Sequence, residues 1–195
     1  RIWLLPGQGR GTGGGTVRPL GRSVRWYGSH SCGDRCGHLL WLSQCLDLQS
    51  QDQEIKEKLA KSCDNQPFIA KAPLELIFVA DYQKWYDAFK YYHGNEEVRS
   101  PSYGDFLLAY SDALIAAQNA VVAAESMGIG SCFIGDIIEQ YEFHRELLNL
   151  PQYTAPVGML VMGYPTLQQK NRVKPMRFDS KYVVSKNRYE RFSDE

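Results

Sequence analysis

Asp112-Ala-Leu-Ile-Ala-Ala-Gln-Asn-Ala-Val-Val-Ala-Ala-Glu-Ser-Met-Gly-Ile-Gly-Ser-Cys-Phe-Ile-Gly-Asp136 is the stretch whose reading decides the fold. It carries most of a helix expected from about Gly104 to Met127, roughly 35 Å long at ~1.5 Å per residue. Polar residues recur seven apart, Ser111/Gln118/Glu125 and Asp112/Asn119/Ser126. A wide apolar remainder is left, holding Ala109, Ala113, Ala116, Ala120 and Ala123, and alanines let another backbone come close. Gly128 is a candidate C-cap. Ile129 to Gly135 is a short apolar segment, and Asp136 can cap a further helix that runs to about Leu150 and stops at Pro151.

Working outward, Asp52 can cap a helix whose Ile55 and Leu59 share a face, with Glu54/Lys58 and Glu57/Lys61 as i,i+4 pairs. Leu74 to Ala80 and Val157 to Met162 read as buried strands. Between the first strand and the long helix lies an aromatic segment, Tyr82 to Tyr92, and a polar loop from Gly94 to Pro101. The order α, β, long α, short β, α, β indicates an α+β or α/β domain around a central helix.

The 195 residues, 44% hydrophobic and 23% charged, suit one ordinary domain. A net charge of zero without Lys/Arg runs offers no footprint for nucleic acid or an anionic membrane. No apolar run reads as a bilayer span, and Ile2 to Leu5 is too short for a signal-peptide core. A cytoplasmic protein with reduced thiols is therefore expected, its five cysteines (Cys32, Cys36, Cys45, Cys63, Cys132) making an odd count.

Residues 1–51 differ from 52–195. They hold six Arg, no Lys and two acids, ten of the 17 glycines, three of the four tryptophans and three of the five cysteines. A disordered leader does not suit the apolar run Leu39-Leu-Trp-Leu42, and a separate module lacks a periodic helix or alternating strand. The favoured reading is sequence translated out of frame before the true frame begins near Asp52.

Several motifs carry chemistry only in the right setting. Lys170, Arg172, Lys174 and Arg177 crowd one loop, as a phosphomonoester would want, though spacing alone favours a solvated loop. The glycines from Gly128 to Gly135 could let backbone N–H groups approach a planar ligand, or serve only as turn chemistry. His30-Ser-Cys-Gly-Asp-Arg-Cys-Gly-His38 offers zinc-ligand types at unsuitable His spacing, and coincidence is the favoured reading. Gly9-Arg-Gly-Thr-Gly-Gly14 matches a dinucleotide fingerprint without its strand and helix. No Ser/His/Asp arrangement is legible around His93 or His144.

Ala72 to Asp81, Asp112 to Asp136 and Met162-Gly-Tyr-Pro165 together resemble the nitroreductase family, in order and with family-like spacing over about residues 52–192. The resemblance implies an α+β fold with a central long helix and a mixed sheet, a homodimer, and FMN at its interface. It implies hydride transfer from NADH or NADPH to the flavin, then to a nitroaromatic, quinone or similar small-molecule acceptor. No side chain is implied as catalytic, because the flavin does the chemistry. Gln66 in Asp64-Asn-Gln-Pro67 matches a glutamine near the flavin, and Phe133, Ile134, Gly135 and Asp136 match the segment whose backbone lies against its ring. Lys174 and Arg177 match the cations at its phosphate. Arg22, Ser23 and Arg25 echo an N-terminal phosphate-binding segment, whereas the family's Pro-Ser-x-x-Asn-x-Gln-like loop is missing. Many relatives continue past the position of Glu195 into an arm that clasps the partner.

Three functions compete. The first is an FMN-dependent oxidoreductase; the second is a degenerate flavin-binding homologue without turnover; the third is a zinc module at His30 to His38 fused to an inert domain. The Tyr82 to Tyr92 segment could roof a pocket, although such helices more often pack in cores.

Overall fold

The computed structural model describes residues 43–48, 52–94 and 97–191. Two compact units divide at Tyr164/Pro165. In the first, β1 (Ser43–Leu48), α1 (Gln53–Ser62), α2 (Pro67–Lys71), β2 (Leu74–Asp81), α3 (Gln83–His93), α4 (Tyr103–Ser126), β3 (Gly130–Ile134), α5 (Tyr141–Leu147) and β4 (Thr154–Gly163) follow in chain order. The four strands form one sheet in the order β1-β2-β4-β3. Where the resemblance implies a mixed sheet, every neighbouring pair among the described residues is antiparallel.

β2 and β4 are buried on both faces, which is why both read as near-continuous apolar runs. Ile77, Val79, Met159 and Val161 meet Leu59, Ala60, Cys63 and Ile69 of α1 and α2 and the intervening turn. Leu76, Phe78, Ala80, Leu160 and Met162 meet α4 on the other face. The register slips between Phe78 and Val79, opposite Pro156. Proline has no N–H for the ladder, so a bulge is where an inner strand can tolerate it.

α4 lies on the sheet through Ala109, Ala113, Ala117, Ala120 and Ala124. Its first turn is closed by a reciprocal bond set between Ser102 and Asp105, and Arg99 grips Asp105 through two contacts of 2.6 and 3.0 Å. That grip holds the Asp105 carboxyl well below the ordinary carboxylate range. At the other end Gly128 stands at φ +74°, its N–H bonding Glu125 O and the next N–H bonding Ala124 O. This is the Schellman closure expected of a C-terminal glycine.

The structure departs from the sequence reading in four places. Ser43–Leu48, inside the stretch read as foreign, is a strand paired along β2 from Ser43↔Ala80 to Leu48↔Glu75. Asp112, one of the polar positions set apart from the apolar remainder of the long helix, is itself buried. α4 is by length and composition long and apolar enough to cross a membrane, with mean hydropathy 1.4, although its alanine stripe packs on the sheet. The helix expected from Asp136 to Leu150 is a 3-10 turn at Asp136–Ile138 followed by the shorter α5.

The second unit, Pro165–Glu195, holds α6 (Leu167–Lys170) and a 3-10 turn at Ser180–Tyr182. Thr166 caps α6 by accepting from the Gln169 N–H. From Lys170 to Arg191 every residue is exposed.

Candidate functional site

The site begins with the turn after α1. Asp64 and Asn65 both adopt left-handed backbone, at φ 57° and 51°. Asp and Asn are the non-glycine residues that visit this region most readily. The reversal is fixed by Gln66 N–H bonding Ala60 O at 2.8 Å, and Pro67 then opens α2 with its preset φ. Gln66 is thereby delivered to the C-terminal end of β3.

There the Gln66 Nε2 donates to Cys63 O at 3.0 Å and to Asp136 Oδ2 at 3.2 Å. Both amide hydrogens are used, so Oε1 is the atom Gln66 can offer to an N–H of a ligand. Burial pushes the Cys63 thiol up to about 11, so this cysteine beside the loop is an inert thiol.

β3 is an edge strand, with β4 as its only neighbour among the described residues. Phe133 is 45% exposed, Ile134 is buried in the core and Gly135 is exposed. Gly135 has φ −83°, which any residue adopts, and an added Cβ would meet nothing within 4 Å. Folding therefore does not require glycine there. What glycine does is leave the backbone bare beside an exposed aromatic ring, the surface a flat heterocycle needs for close approach.

Asp136, expected to cap a helix, instead opens the 3-10 turn with its carboxylate on Gln66. The next carbonyl, Ile137 O, is taken by the ring of His144, whose Nδ1–H donates to it at 2.6 Å. The other ring nitrogen, Nε2, therefore accepts from Ser62 Oγ–H at 2.7 Å. No serine–histidine pair is legible in the sequence, because this one joins residues 82 apart. Its histidine is oriented by a carbonyl, not a carboxylate, and is fully buried.

Of the residues singled out in the sequence, the structure joins Gln66 to Asp136 and places Phe133, Ile134 and Gly135 immediately before that contact. Lys174 and Arg177 lie exposed in the Pro165–Glu195 unit. Arg22, Ser23 and Arg25, the His30 to His38 cluster and Gly9 to Gly14 lie outside the described residues. The aromatic segment forms α3, where Tyr86 meets Tyr153 edge-on at 4.9 Å and Trp85 meets Phe89 at 6.0 Å. Near its start, a cleft of about 410 Å³ is lined by Tyr82, Phe106, Tyr110, Tyr141 and Tyr153 among others.

The nitroreductase family model matches residues 43–164. This chain belongs to the nitroreductase family. It is 36% identical over 122 residues to an FMN reductase [NAD(P)H] of Bacillus subtilis, covering 63% of this chain and 49% of that protein. It is 31% identical over 140 residues to an NADPH-dependent oxidoreductase of Staphylococcus epidermidis, covering 72% and 55%. The chain thus spans about half the length of these curated relatives. Among solved structures, the NADPH:FMN oxidoreductase from Vibrio harveyi complexed with NAD+ superposes with a TM-score of 0.68 at 30% identity, over 80% of this chain and 63% of that one. The match begins at Ser43, the first residue of β1 and nine residues ahead of Asp52.

Proposed function

We propose that this chain carries the flavin-ring half of an FMN-dependent NAD(P)H oxidoreductase that reduces nitroaromatics, quinones or similar flat, electron-poor molecules. The observation that carries the reading is the bare-backbone turn at Gly135, flanked by exposed Phe133 and locked to Gln66 through Asp136. A ring system lying on this turn would have apolar contact from Phe133, peptide N–H groups at its edge and the Gln66 amide oxygen as an acceptor. FMN, when bound, supplies the two-electron hydride chemistry between nicotinamide and acceptor. The protein's part is orientation: Asp136 fixes the Gln66 amide, and the paired carbonyl of Cys63 stops it rotating. For Lys174 and Arg177 the support is the family resemblance alone, which makes them candidate phosphate-binding cations of point and forked type.

Dimerisation is part of the proposal. On α4 the side away from the alanine stripe exposes Leu108, Ile115 and Val122, at 52%, 42% and 55% and seven residues apart. A ridge of this spacing suits packing against a second helix of the same kind.

Visible absorbance of the purified chain mixed with FMN, before and after anaerobic NADPH, tests the reading. A protein-bound flavin band that bleaches supports the oxidoreductase. A bound band that persists leaves a flavin binder without turnover, and absence of binding defeats the flavin assignment.

A further inference from the structure

We infer that His144 is a positioning residue: by bridging Ile137 O and Ser62 Oγ it keeps the Asp136 turn unwound and clasped to the Gln66 loop. The inference rests on the flavin reading of this turn and adds the device that sets its shape.

A fully buried imidazole is an expensive way to fill a core, since each polar atom taken from water must find a partner inside the protein. Both ring nitrogens are bonded, so the residue is tolerated; the partners it takes explain its presence. Ile137 follows Asp136 directly, and Ser62 precedes Cys63, the residue whose carbonyl holds Gln66. One ring therefore ties together the two segments that meet at the Gln66–Asp136 contact. Gln140 adds a second tie, its Nε2 donating to Ser62 O at 2.9 Å.

The bond to Ile137 O also accounts for the break in the expected helix. In a continuous helix that carbonyl would accept from the N–H four residues on, at Tyr141. Here α5 winds only from Gln140 O, which receives the His144 N–H at 3.0 Å, while Ile138 N–H and Glu139 N–H make the tighter bonds to Gly135 O and Asp136 O. Each residue added to an α-helix turns the side chains by about 100°. Winding the turn into α5 would rotate Asp136 away from Gln66 and draw Gly135 into a helical turn. Burial lowers the His144 pKa, the Ile137 carbonyl opposing, which favours the neutral ring whose Nε2 can accept from Ser62.

The test uses the full chain with His144→Leu, which fills the space without either bond, His144→Gln, which can restore one, and Ile77→Val as a core control. Amide exchange at Ile138 and Glu139 should accelerate about tenfold in His144→Leu relative to amides of β2, partly recover in His144→Gln, and stay unchanged in the control. FMN titration should show a dissociation constant raised about tenfold in His144→Leu. In a Gln66→Ala background the same substitution should lower Tm as before yet cost little further FMN affinity, because the clasp acts through Gln66. Unchanged exchange at Ile138 and Glu139, or an affinity loss undiminished without Gln66, overturns the proposal. Should the unmodified chain bind no FMN, the flavin reading fails, and the exchange measurement alone still decides whether His144 holds the turn.

Discussion

Lys56 Nζ stands 3.5 Å from Glu75 Oε1 inside the core, the two side chains 2% and 0% exposed. Lys56 also donates to Ala72 O, so one ammonium joins α1, the end of α2 and β2. Lys56→Met should strand a buried carboxylate and cost about 3–5 kcal/mol in urea unfolding, whereas Lys56→Met with Glu75→Leu should return to within about 1 kcal/mol of the parent. A double variant as unstable as the single would show that the pair itself stabilises the fold.

The same pair sets a pH dependence. Burial pushes the Glu75 carboxyl up to about 7 from an ordinary 4.5, with Lys56 pulling the other way. Because the folded value is raised, the associated stability is complete below about pH 4.5 and is lost as pH rises through about 7. His144 acts oppositely: its lowered value gives stability present above pH 6.5 and lost as pH falls through the folded value. Glu75→Gln should remove the decline in Tm between pH 5 and pH 8 and leave the acid-side loss; a decline that survives the substitution assigns it elsewhere.

Cysteine labelling should separate the two described thiols. Cys132 is exposed on the edge strand and Cys63 is buried with its thiol pushed up to about 11. Iodoacetamide at pH 8 followed by peptide mass mapping should modify Cys132 in the folded protein and Cys63 only after unfolding. Equal labelling of both would mean that the α1 end opens freely.

Gly128→Ala should destabilise by about 1–2 kcal/mol, since φ +74° is a left-handed conformation that a Cβ disfavours. Urea midpoints read this directly, and a silent substitution would require the closure of α4 to relax.

For the dimer ridge, Ile115→Glu should shift the sedimenting species toward the monomer while leaving helical circular dichroism unchanged. A monomeric parent chain would remove the proposed interface.

Much of this was legible beforehand for a physical reason. α4, β2 and β4 are long and apolar in the period their burial requires, and Gly128 marks a stop that only a few residues can make. β1 escaped because six residues, Ser-Gln-Cys-Leu-Asp-Leu, carry just two leucines at strand spacing within a stretch of foreign composition. The Lys56–Glu75 and Ser62–His144 pairs escaped for another reason. Each joins distant segments, and Lys56 sits among Glu54, Glu57 and Lys58, whose local pattern reads as a solvated face. That pattern is half right: Lys58 does pair with Glu54 at 2.7 Å, but Glu57 accepts from Gln53. The Asp136 break in the helix leaves no periodic signal because it turns on a single side-chain contact, the His144 ring on Ile137 O seven residues before it.

Gly135 separates two selections that most positions confound. Its ordinary φ and empty surroundings mean that Gly135→Ala should hold or slightly raise Tm, by restricting the unfolded chain. The same methyl would stand between a stacked ring and the backbone beneath it. A substitution quiet in melting and loud in ligand affinity makes this residue a gauge of what the surface is for.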